Sequence, residues 1–101
     1  MHLIQILLPV CDNDGHEYPP EVFETIARGL TERFGGLTSF MRSPAEGRWS
    51  QGGKTDYDEI IVIEVMTADL DRDWWGAFRI QLEGELRQKE IVIRAQPIER
   101  L

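Results

Sequence analysis

Between Leu3 and Val10 the chain is aliphatic at almost every position, broken only by Gln5 and Pro9, and it ends at the turn-forming run DNDG. A short apolar run closed by a turn signal predicts a buried strand. The period then changes. In PPEVFETIARGLTERFGG the residues Phe23, Ile26, Ala27, Leu30 and Phe34 recur at helical spacing, with Pro20 marking the start and Gly35 the end. LTSFMRS returns to an extended pattern, interrupted by Pro44, and RWSQGGKTDY predicts a hairpin turning at Gly52 and Gly53. DEIIVIEVM, rich in β-branched residues, is the strongest strand pattern in the chain. A second helical stripe of Trp75, Phe78, Leu82 and Leu86 follows. Asp69, Asp71 and Asp73 crowd its first turns, where acidic side chains suit the positive end of the helix dipole. EIVIRAQPI closes the chain as a strand.

The predicted order is β-α-β-β-α-β over a single α+β domain, residues 1–101. That is the ferredoxin-like arrangement, a four-stranded antiparallel sheet of strand order 4-1-3-2 with two helices on one face. The first and third strands would be central, and they are the most aliphatic.

Successive strand residues point to opposite faces. Ile4, Ile6 and Leu8 on the first strand, Ile61, Ile63 and Val65 on the third, and Ile91, Ile93 and Ala95 on the fourth form one apolar face, which must meet the helices. The other face is mixed. It carries Gln5, Glu64, Arg94 and Gln96 among Leu3, Leu7, Ile60, Val62, Met66 and Val92. On the second strand, Leu37 and Met41 are expected to face the helices, leaving Thr38, Phe40 and Arg42 on the open side. That much contiguous apolar surface exceeds what an ordinary monomer exposes. A second copy placed sheet to sheet, giving a homodimer, is the expected cover. Enclosed polar residues need partners. Glu64 and Arg94 either satisfy each other and set the register of that interface, or line a small-ligand cavity. With strand one between strands three and four, and Leu3 level with Met66, Gln5 lies level with Glu64 and near Arg94 or Gln96.

Composition narrows the function. A chain of 101 residues with 42% hydrophobic and 29% charged residues is ordinary for one globular domain. A net charge of −7 argues against nucleic acid and against an anionic membrane as partners. RNA binding in this fold would also call for aromatics on the central strands, and their open faces carry none. Cys11 is the only cysteine, which excludes an internal disulfide and fits a reducing, cytoplasmic setting. The apolar N-terminus has no basic flank and no small-residue cleavage site, so it is expected to be a strand and not a signal peptide.

The pair Gly35–Gly36 is the most conspicuous loop feature. Glycine loops hold phosphate where a strand leads into a helix N-terminus. Here a helix precedes the pair and a strand follows, so the local backbone offers carbonyls. The pair is expected to be a joint, with Gly35 as the left-handed residue that ends the helix. DNDG resembles the start of a calcium loop, but Gly15 follows Asp14 at once and no bidentate glutamate stands at the twelfth position, so a turn is expected. His2, Cys11 and His16 match no zinc spacing, and neither a metal nor a cofactor is expected. Trp74 and Trp75 are adjacent and cannot share a helix face. Trp75 is expected in the core and Trp74 at the helix edge or against a partner. Trp49, on the hairpin, is either a lid over one end of the core or an apolar wall for a ligand.

RFGGLT, followed by PAEGRW, GG and EVM, then DWW and RQKEIVIRA, resembles a group of small bacterial proteins of similar length, over nearly the whole chain. The resemblance implies this fold class and a bacterial origin, and it brings no catalytic motif.

Two functional classes remain. One is a homo-oligomeric, non-enzymatic module with a stability, scaffold or small-ligand-binding role, in which Gln5, Thr38, Phe40, Arg42, Trp49, Glu64, Arg94 and Gln96 are the ligand-binding candidates at the open sheet face. The other is a small cofactor-free enzyme of the dimeric α/β-barrel type. In it Glu64 would serve as acid/base, with Arg94 and Arg42 holding an anionic or enolisable substrate.

Overall fold

The computed structural model describes residues 1–35, 38–45, 50–51, 54–55 and 58–101, with side chains described for residues 1–35 and 60–101. The elements in chain order are β1 (His2–Pro9), α1 (Pro20–Phe34), β2 (Thr38–Ala45), β3 (Ser50–Gln51), β4 (Lys54–Thr55), β5 (Asp58–Thr67), α2 (Arg72–Glu85) and β6 (Val92–Pro97). The chain is thus α+β, with two helices and an antiparallel sheet.

In that sheet β1 lies between β5 and β6 and is antiparallel to both. Leu3 pairs with Met66 and Pro9 with Ile60 on one side, and His2 with Pro97 and Leu7 with Val92 on the other. β2 pairs antiparallel with β5, from Thr38 opposite Val65 to Ala45 opposite Asp58. Pro44 lies within β2, although it reads as an interruption in the sequence. β3 and β4 form a separate two-residue ladder, Ser50 opposite Thr55 and Gln51 opposite Lys54. The turn expected at Gly52 and Gly53 falls between them, outside the described residues.

Alternation along β1 decides which face is packed. Ile4, Ile6 and Leu8 are fully buried, and their register partners Ile61, Ile63 and Val65 are buried with them. Phe23 and Leu30 of α1 and Trp75 and Leu82 of α2 join the same core, so both helices cover this one face. Burying one such aliphatic side chain is worth about 1.5–3 kcal/mol, which pins the register, because a one-residue slip would turn the whole set to the other side.

The helix ends follow local chemistry. α1 starts on Pro20, with Glu21 in its first turn and Arg33 in its last, both suited to the helix dipole. It ends at Gly35, φ 80°, whose N–H donates to the Thr31 carbonyl. α2 is capped by Asp71, whose carboxylate accepts from the Trp74 N–H at 3.1 Å. Its far end closes through Arg87, a non-glycine residue at φ 53°, while the Gln88 N–H reaches the Glu83 carbonyl. Trp75 is buried as expected. Trp74 sits half-buried at the helix edge, edge-on to Phe34, stacked on Phe78 and covered by the Arg33 guanidinium at 4.3 Å from its ring. These rings tie the end of α1 to the start of α2.

Candidate functional site

The face of the sheet away from the helices carries a polar row in an aliphatic field. Gln5 stands directly opposite Glu64 on β5 and directly opposite Arg94 on β6. Directly opposed residues share a face, so one level of the sheet holds a carboxylate, an amide and a guanidinium side by side. The amide joins the other two. Gln5 Nε2 donates to Glu64 Oε2 at 3.0 Å, and Arg94 Nε donates to Gln5 Oε1 at 2.7 Å. Glu64 is engaged beyond this bond as well. The expected polar cluster therefore forms, with Gln5 as its bridge. Two strand spacings hold the Glu64 and Arg94 backbones about 10 Å apart.

Burial falls off across the row. Gln5 and Glu64 are half-buried, while Arg94 and Gln96 are exposed. The surrounding aliphatics are graded likewise: Val62 is buried, Leu3, Leu7, Ile60 and Met66 are half-buried, and Val92 is 45% exposed. The face is thus less bare than its composition suggests on the β5 side and open on the β6 side. There Gln5, Arg94, Ala95 and Gln96 border a cavity of about 420 Å³. Gln5 holds the carboxylate and the guanidinium at a fixed spacing, and the Arg94 guanidinium keeps its terminal N–H donors beyond the bond to Gln5. Such a row can receive a ligand bearing both a cationic and an anionic group.

Thr38, Phe40 and Arg42 were expected on this face. The backbone pairing sets them opposite Val65, Ile63 and Ile61, which point to the helices, and sets Ser39 opposite Glu64. The side chains of Thr38, Phe40 and Arg42 lie outside the described residues. Trp49 lies outside the described residues altogether.

A second cavity, of about 360 Å³, lies on the helix side of β6, where Arg72, Gly76 and Arg79 of α2 border it together with Ile93 and Arg94. The sequence reading missed these helix residues. Their i, i+4, i+7 spacing, which places them on one stripe beside the core stripe, was the available signal.

The DNDG turn closes on its own carboxylate. Asp12 Oδ1 accepts from the Asp14 and His16 N–H groups at 2.9 Å each. The His16 backbone N–H is the chief reason that the Asp12 carboxyl titrates below its ordinary value. Ligand atoms of Asp12, Asp14 and His16 lie within 4.8 Å of one another. Asp14 and His16 are exposed, and the carboxylate is already satisfied by the turn. Beyond this turn, Tyr18 OH donates to the Leu86 carbonyl and accepts from Gln88 Nε2 at 2.8 Å, tying the segment to the end of α2. Among the described residues no helix is long and apolar enough to cross a membrane.

No family model matches the sequence, and no curated protein matches it. Solved structures do. The chain is similar to a phage SAM lyase in complex with S-methyl-5'-thioadenosine, with 18% identity, a TM-score of 0.64, and coverage of 94% of this chain and 79% of that one. It is also similar to a phage SAM lyase in the apo state, with 16% identity, a TM-score of 0.62, and coverage of 94% and 78%. At these identities the likeness is one of fold.

Proposed function

We propose that the chain is a ferredoxin-like βαββαβ module, strand order β6-β1-β5-β2, that binds a small zwitterionic molecule on the open face of its sheet. The observation that carries this reading is Gln5 bridging the Glu64 carboxylate and the Arg94 guanidinium beside a cavity. A cationic centre would sit against Glu64 and a carboxylate against Arg94, while the aliphatic surround takes the apolar part of the ligand. A second copy laid on the same face would enclose the ligand and cover Val92. Cys11 as a free thiol fits a cytoplasmic setting.

S-adenosylmethionine is the first ligand to test. It carries a sulfonium and an ammonium as cations, a carboxylate, and a flat heterocycle. The similarity in fold to phage SAM lyases favours a second reading, in which the chain also cleaves such a ligand, with Glu64 as the acid/base and Arg94 as the anchor of the carboxylate. Thermal melting with S-adenosylmethionine, together with chromatography for released S-methyl-5'-thioadenosine, separates the two. A raised melting temperature without product supports the binding module. Time-dependent product that disappears in Glu64→Gln supports the enzyme. Neither a shift nor product at millimolar ligand overturns both for this ligand class.

A further inference from the structure

α2 leaves part of the sheet bare on the helix side. Ile91 is buried and Ile93 is half-buried, but Ala95, next on the same face of β6, is exposed. The gap is the cleft of about 360 Å³ between the first half of α2 and β6, within the range of small-molecule sites, about 300–1,000 Å³. Its floor is apolar: Ile4 is fully buried, Trp75 is 5% exposed, and Ile93 completes it. Its other lining residues include Arg72 and Arg79 of α2, and Arg94, whose side chain turns to the opposite face of the sheet to bond Gln5.

Two guanidinium groups of α2, Arg72 and Arg79, border this small opening in a chain of net charge −7. Arg79 is held by Glu83, with Nη1 at 3.0 Å from both carboxylate oxygens. Arg72 contacts no carboxylate among the described residues, so its guanidinium is the group left to meet an anion in the cleft. Asp69, Asp71 and Asp73 are exposed and do not line the cleft, and Asp71 is occupied as the helix cap. A guanidinium fork matches a carboxylate in two parallel hydrogen bonds. Gly76 forms part of the wall, and a Cβ built on it would meet nothing within 4 Å. No packing contact requires this glycine, which makes the helix interior about 1 kcal/mol less favourable than alanine would. What its missing side chain leaves open is the cleft.

We propose that this cleft is a second binding site, for an amphiphilic carboxylate. The aryl or short alkyl body rests on Trp75 and Ile93, and the carboxylate pairs with the Arg72 guanidinium. Arg94 borders both cavities, so the variants that test the cleft leave it unchanged, and they leave Gln5 and Glu64 unchanged too.

The test is calorimetric titration of the full chain with 1-naphthoate and with its uncharged counterpart 1-naphthamide. Saturable binding of naphthoate is expected, with the amide at least about tenfold weaker, the loss that one charge-assisted contact carries. Arg72→Gln is expected to weaken naphthoate by a similar factor. Gly76→Leu fills the cleft and is expected to abolish binding while keeping or raising the melting temperature. Gly84→Leu, at an equally unhindered position on α2 away from the cleft, leaves binding intact. Absence of saturable naphthoate binding up to a few millimolar, equal affinity for the amide, or unchanged binding in Gly76→Leu overturns the proposal.

Discussion

Three side chains set the character of the open face, and Gln5 joins them. Because Arg94 is exposed and reaches Gln5 by a single Nε bond, the row is not a buried ion pair. Arg94→Met alone is therefore expected to cost only about 0.5–1.5 kcal/mol. Gln5→Leu removes both bonds at once, and the pair of changes together should cost less than their sum by about 0.5–1 kcal/mol. Urea unfolding of the four proteins measures this, and strict additivity would show that the amide bridge does not form. Asp12 gives a pH signature. Its folded pKa is depressed, chiefly by the His16 N–H, so its contribution is present above the ordinary value of 3.8 and lost as pH falls through the lower folded value. A carboxyl-carbon NMR titration should place the Asp12 midpoint below 3.8. A midpoint at or above that value would remove the turn geometry.

The elements differ in how far they were legible. β1, β5 and both helices follow from apolar period alone, because each buries one continuous stripe against a single core. β2 is different. Its run TSFMRSPA has no clean alternation, so alternation alone does not assign a face to Thr38, Phe40 and Arg42. The cleft under α2 was hidden for another reason: it depends on where α2 stops covering β6, and Ala95 looks like any helix-facing residue in the sequence. The helix ends offer a paired test. Gly35→Val forces a β-branched residue into the left-handed region and should destabilise by about 1–2 kcal/mol. Arg87→Gly relieves a similar conformation at the end of α2, offset in part by glycine's flexibility when unfolded, and should stabilise by about 0.5 kcal/mol. Melting curves that move both variants in the same direction would contradict these assigned caps.

At the scale of the whole molecule, two copies would join through their open sheets and enclose ligand at the Gln5 row. Sedimentation velocity should find dimer, or a larger assembly containing it, at micromolar concentration. Arg94→Glu and Val92→Glu, both at the exposed end of that face, should shift it to monomer. Monomer alone in the unaltered protein would leave the ligand row open to solvent and remove the enclosing partner. The ligand row itself can be watched by NMR, since the Gln5 side-chain amide and the Arg94 Nε–H both give proton–nitrogen signals. Titrated with S-adenosylmethionine, these two signals should move together and saturably, and Glu64→Gln should weaken the response. Saturation of signals elsewhere while Gln5 and Arg94 stay still, or no saturable change at millimolar ligand, would contradict a zwitterion site on the open face of the sheet.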